Sequence, residues 1–126
     1  MPGETYRDLL VWQRAMDLAV AAYEMARAMP HSERFGLSAQ MCRAAVSVPA
    51  NIAEGQGRGG SKEFSRHLRI ARGSLLELET HLTLAVRLNF INRESAIPVW
   101  NQSQEVSKML SGLIKSLKRR VVPDSP

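Results

Sequence analysis

The sequence holds one cysteine, few aromatic residues and no long apolar run. Each shortage removes a class of protein. Cys42 alone supports neither a disulfide framework nor a thiol metal site. It falls on a small-residue helix face, where an inert, buried thiol is expected. No stretch approaches the ~20 apolar residues of a membrane span, and no cationic segment leads into an apolar run near Met1. A cytoplasmic protein without membrane association is therefore expected. HExxH, CxxC, a nucleophile elbow and the GKS or GKT of a phosphate-binding loop are all missing. The three histidines, His31, His67 and His81, lie far apart. Glu77 and Glu79 stand near His81, but Leu78 occupies the place where a di-iron bundle needs glutamate for Glu-x-x-His. Each histidine is expected to be a surface or hydrogen-bonded residue rather than a ligand. No catalytic residue, metal ligand or cofactor is expected, and the chain reads as non-enzymatic.

What is present is helix. At 126 residues the chain is long enough for one domain with a single core. Aromatics make up only 6%, β-branched residues do not cluster, and Ala, Leu, Met, Arg and Glu dominate. Apolar periodicity predicts four helices, over about 6–29, 36–56, 61–89 and 95–120, with a frayed tail at 121–126. The first carries two apolar stripes, one through Val11, Ala15, Leu18, Ala22, Met25 and Met29, the other through Leu9, Trp12, Met16, Ala19, Tyr23 and Ala26. Two stripes mean either a wide core face or a second, intersubunit face. Thr5 and Asp8 resemble a capping box at its start, and Pro30 ends it. The third helix has the cleanest heptad, Phe64, Leu68, Ala71, Leu75, Leu78, Leu82 and Ala85. Ser61 is its expected N-cap, and Ser95 that of the fourth helix, with Pro98 in the first turn. Short loops between four helices give an all-α, antiparallel up-down-up-down four-helix bundle over residues 1–126.

The second helix is the least generic. Gln40, Arg43, Ser47, Asn51, Glu54 and Arg58 form one narrow polar stripe, and the rest of the wheel is apolar or small. Pro49 sits in its interior and deprives the Ala45 carbonyl of its usual donor. Ser47, Asn51 and Glu54 are expected to be structural, satisfying freed backbone groups or the neighbouring helix. Gly55, Gly57, Gly59 and Gly60 then close the helix. A glycine-rich segment leading into a helix can cradle phosphate, but with no strand before it the segment reads as a turn between antiparallel helices.

Charge is distributed unevenly. Arg58, Lys62, Arg66, Arg69 and Arg72 fall within one segment with a single acid, Glu63, and Lys108, Lys115, Lys118, Arg119 and Arg120 fall within another with none. The net charge is +5 overall and +9 in those two segments, so the remainder is −4. An up-down bundle brings both segments to one end. Cations at the close of a helix complement its dipole, whereas cations at its start oppose it. Stability therefore does not ask for Lys62, Arg66, Arg69 and Arg72. Either acids such as Glu54 or Asp8 offset them, or they meet an anionic ligand.

Three segments in order, YRDLLVWQRAMDLA, SVPANIAEG and GRGGSKEFSRHLRIARGSLLELET, resemble the four-helix-bundle family of bacterial 23S rRNA intervening-sequence proteins. That family is similar in architecture to the accessory variability determinant proteins of diversity-generating retroelements. The resemblance spans about residues 6–120. Its motif falls on Ser47, Pro49, Asn51, Ile52, Ala53, Glu54 and Gly55, then on Arg58, Ser61, Glu63, Phe64, Gly73, Ser74, Glu77 and Glu79. It implies a homopentameric ring, and, from the retroelement proteins, a reverse transcriptase partner and nucleic acid bound on a basic surface. The expectation is a non-enzymatic accessory protein that binds RNA or DNA backbone through Arg58, Lys62, Arg66, Arg69, Arg72, Lys115, Lys118, Arg119 and Arg120. The other reading is a structural or adaptor homo-oligomer whose partner is another protein.

Overall fold

In the computed structural model, which describes residues 5–121 with side chains through Arg119, four α-helices pack as a bundle. They are α1 (Leu10–Arg27), α2 (Leu37–Gly57), α3 (Ser61–Arg87) and α4 (Arg93–Val121). Among the described residues there is no strand. Each helix packs on its sequence neighbour, and α4 closes the square against α1. The all-α fold and the four helices follow the apolar periodicity, while several helix ends differ from expectation. The tail expected at 121–126 lies, beyond Val121, outside the described residues, as does the Arg120 side chain.

The first helix does not begin at Tyr6. Thr5 and Asp8 do form a capping box, with Asp8 Oδ2 accepting from Thr5 N at 3.1 Å. It caps a 3₁₀ turn over Tyr6–Asp8, and Leu9 is extended before α1 starts. Likewise α3 is capped by Gly60 rather than Ser61, which is its first helical residue. In α4 it is Asn92 that caps, Oδ1 accepting from Ser95 N at 2.8 Å. Ser95 is thus the third helical residue, and Pro98 lies in the second turn, leaving the Glu94 carbonyl without an i+4 donor. At the end of α3, Asn89 adopts a left-handed conformation (φ 62°), Phe90 N donates to Ala85 O and Asn89 N to Val86 O. These paired bonds close the helix as a Schellman motif.

The core follows the heptads. Leu68, Ala71, Leu75, Leu78, Leu82 and Ala85 are buried along α3, with Phe64 half-buried at its start. From α2 come Met41, Ala45, Val48 and Ile52, and from α4 Val99, Val106, Leu110 and Leu117. Of the two stripes on α1, the one through Val11, Ala15, Leu18, Ala22, Met25 and Met29 is wholly buried. The other is divided. Ala19 and Ala26 are buried, whereas Met16 and Tyr23 are exposed. Cys42 is half-buried rather than buried; burial raises its thiol pKa, and the Arg27 charge works against that.

Candidate nucleic-acid interface

Polar side chains from α2 and α3 meet along a seam that runs toward the basic end. Asn51 Nδ2 donates to the Ser47 carbonyl at 2.9 Å and lies 3.0 Å from its Oγ. That leaves Asn51 Oδ1 facing His67 Nδ1 at 3.1 Å. Ser74 Oγ donates to Ser47 Oγ at 2.8 Å. His67 is buried, and Arg66 Nη2 approaches its Nε2 at 3.3 Å. With a proton on Nδ1 the ring donates to Asn51 Oδ1 and leaves Nε2 to accept from Arg66. The polar stripe therefore reaches the neighbouring helix. It does not reach the Ala45 carbonyl that Pro49 leaves without a donor; Asn51 bonds Ser47 instead. Sequence reasoning missed the burial of His67. The signal was its spacing, three residues after Phe64 and four before Ala71, on the broad apolar face of α3.

Gly55 explains how the seam closes. A Cβ there would lie 2.5 Å from His67 Cβ and 3.2 Å from Phe64 Cδ1. The helices approach so closely only because residue 55 has no side chain. By contrast Gly57, Gly59 and Gly60 face open space. Only Arg58, Gly59 and Gly60 connect the two helices, and Gly59 takes a φ of 82°.

Helices α3 and α4 run antiparallel with a register marked by two polar contacts. Glu79 Oε2 accepts from Ser103 Oγ at 2.8 Å and from Gln104 Nε2 at 3.0 Å. Seven residues earlier on α3, Arg72 Nη1 donates to Ser111 Oγ at 3.3 Å. One further heptad in the same register sets Ser65 and Arg66 level with Lys118. The start of α3 and the end of α4 thus share one end of the bundle with the close of α2.

The cations at that end divide into two groups. Arg58 pairs with Glu54 at 2.7 Å, and Arg66 with Glu63 at 3.2 Å. All four side chains are about half exposed, so each pair contributes little to stability. The hydrogen bond from Arg58 lowers the pKa of Glu54, and that from Arg66 lowers the pKa of Glu63. Glu54 thus offsets Arg58 as one sequence reading expected, whereas Asp8 is engaged in its own capping box. Lys62, Arg69, Lys115, Lys118 and Arg119 are exposed and enter no ion pair among the described residues.

The fourth corner of this end carries a cluster that sequence reading overlooked. Tyr6 and Trp12 meet edge to face, with ring centroids 5.1 Å apart. The Arg7 guanidinium lies over both rings, at 5.5 and 5.9 Å. Ser38 Oγ, donating to Ala26 O at 3.4 Å, marks the register of α1 on α2, and the turn that carries Tyr6 also packs on α2. Twenty residues back from Ala26 is Tyr6, and twenty on from Ser38 is Arg58.

Apolar side chains also remain exposed on two opposite sides of the bundle. Between α1 and α2, Met16, Val20, Tyr23 and Val46 border a groove of about 450 Å³. Between α3 and α4, Ile97 and Trp100 border one of about 370 Å³, and Leu76 and Leu84 flank it. Among the described residues no helix is long and apolar enough to cross a membrane. No three His, Cys, Asp or Glu side chains among them gather to hold a metal ion.

The chain has relatives in both sequence and fold. The sequence model of the family described as 23S rRNA-intervening sequence protein matches residues 7–112. A crystal structure of a protein with unknown function from the S23 ribosomal protein family, from Bacteroides thetaiotaomicron VPI-5482, is similar throughout. It is 29% identical, the match covers 84% of this chain and 99% of that one, and the TM-score is 0.79. No curated protein matches.

Proposed function

The chain belongs to the 23S rRNA-intervening sequence protein family, and from that premise we propose that it is a non-enzymatic accessory protein whose basic end binds RNA or DNA backbone. One observation carries the reading: Lys62, Arg69, Lys115, Lys118 and Arg119 are exposed at the same end, with no ion-pair partner among the described residues. Of these, Lys62 sits in the first turn of α3, where the helix dipole opposes positive charge, and Arg69 lies two turns further on. Folding gains nothing from that placement, while phosphate binding does. Arg58, Arg66 and Arg72 stand beside them with internal partners already in hand. Phosphates can take over from the exposed Glu54 and Glu63 carboxylates and from the Ser111 hydroxyl, since each neutralised phosphate releases condensed counterions. The test is fluorescence anisotropy with RNA and DNA oligomers across a salt series. A Lys62→Glu/Arg69→Glu variant is expected to bind more weakly and with a shallower log–log slope, by roughly 0.7–0.9 for each phosphate that is no longer neutralised. No binding by wild type at ~50 mM salt, or an unchanged variant, rejects the reading in favour of the adaptor.

The same proposal includes assembly into a ring, five-membered as the family resemblance implies. Supporting it are the two exposed apolar grooves on opposite sides of the bundle. A face that meets a different face of the next copy makes a heterologous contact, which gives a ring when the rotation between copies closes. Such a ring points every basic end in one direction and multiplies weak phosphate contacts. The reverse transcriptase partner of the accessory reading and the protein partner of the adaptor reading draw on these grooves too.

A further inference from the structure

We propose that the Tyr6–Trp12 pair, with Arg7 over it, is a stacking platform for unpaired bases, so that the basic end favours single-stranded over duplex nucleic acid. The inference rests on the nucleic-acid reading above and adds a class of ligand to it. From the order of residues alone, contact with the backbone only was the expectation, since Phe64, the aromatic nearest the basic segments, belongs to the core. Folding changes that. The sequence has seven aromatic side chains, and two of them meet at the level of Arg58, on the corner of the bundle end that α2, α3 and α4 leave open. Tyr6 and Trp12 are both half-buried; Trp12 packs against the core, Tyr6 packs against Trp12, and each keeps part of its surface in solvent. Arg7 is exposed and makes no ion pair among the described residues.

The platform is rigid where it needs to be. The capping box holds the turn that carries Tyr6. Gln13 Nε2 donates to the Arg7 carbonyl at 2.8 Å, tying that turn to α1. A base can lie against an aromatic face beside the guanidinium, whose charge then meets the adjoining phosphate. A duplex hides its base faces and offers this corner nothing but phosphate. Cations on the other three corners contact backbone in either case, so the aromatic corner decides between the two forms.

The experiment compares three labelled probes of equal length by anisotropy: a single-stranded thymidylate oligomer, an abasic phosphodiester and a hairpin duplex. Wild type is expected to hold the thymidylate about tenfold more tightly than the abasic strand, which is about 1.4 kcal/mol. Tyr6→Leu, checked for helicity by circular dichroism, is expected to lower thymidylate affinity to the abasic level and leave the abasic and duplex affinities unchanged. Tyr6→Phe keeps the ring and is expected to keep the preference. Lys62→Glu/Arg69→Glu weakens all three probes alike. Equal affinity of wild type for thymidylate and abasic strand overturns the stacking platform alone, as does a Tyr6→Leu variant that weakens all probes equally. Failure of every probe to bind overturns the nucleic-acid reading and this inference with it.

Discussion

At position 55 two tendencies conflict. Alanine is the better helix former by about 1 kcal/mol, but its Cβ would collide with His67 Cβ at 2.5 Å. Overpacking of this kind typically costs about 1–3 kcal/mol. Gly55→Ala is therefore expected to be destabilising, by up to about 2 kcal/mol after the gain in propensity, as read from urea midpoints. An unchanged or raised midpoint would show that the helices separate freely. Asn51→Ala removes the acceptor facing buried His67 and is expected to cost about 1–3 kcal/mol. If it keeps full stability and loses only partner binding, the seam is a functional surface. His81 is a different case. The residue is half-exposed, yet its Nδ1 is covered and has no hydrogen-bond partner among the described residues. Burial lowers its pKa, the Glu77 carboxylate opposes that, and the Arg43 guanidinium adds to it. The unfolded chain thus takes up the proton more readily than the folded one. Stability is intact above the ordinary imidazole range and falls as pH drops through and below it. Between about pH 7.5 and about pH 5, His81→Gln is expected to lose less urea resistance than wild type; an equal loss would remove His81 as the cause. The sequence told little of this. The glycine run read as a turn, and nothing in it separates Gly55, pressed against a histidine, from Gly57, which faces open space.

The helices themselves were legible because a heptad is a local code. Each apolar residue along α3 states its own facing, and the fold only has to agree. Helix ends were less so, because a serine before an apolar run looks like a cap wherever it stands. The true caps, Gly60 and Asn92, lie one and three residues earlier than the serines suggested. This is open to test. Asn92→Ala is expected to lower stability by about 1 kcal/mol, and Ser95→Ala to change it little. The reverse order, measured by thermal melts of the two variants, would return the cap to Ser95. The two stripes on α1 show the remaining ambiguity. A periodic pattern marks apolar faces without saying what covers each, and the structure buries one stripe in the core while leaving Met16 and Tyr23 of the other exposed.

For the whole molecule, the expected state in solution is an oligomer. Light scattering behind size exclusion is expected to give five times the 14.0 kDa chain mass, and Val20→Asp or Trp100→Asp, on opposite grooves, to lower it. A single species at 14.0 kDa for wild type would rule out the ring. The concentration of charge at one end was readable from sequence once an up-down order was assumed. The aromatic corner was not, since only the packing of α1 on α2 brings Tyr6 level with a residue 52 positions away. The short Arg58–Gly60 connection has one more consequence, and it concerns time. A three-residue link closes at little entropic cost. The helices on either side of it share the most extensive packing in the bundle, with Gly55 against His67 close to the link. The α2–α3 hairpin is thus the cheapest pair to assemble and the natural nucleus of the folding transition state. In chevron measurements, substitutions at Gly55 or His67 are expected to slow folding, whereas Leu18→Ala in α1 and Ile114→Ala in α4 chiefly speed unfolding. The chain then folds from its middle outward, and the two ends that complete the basic corner arrive last.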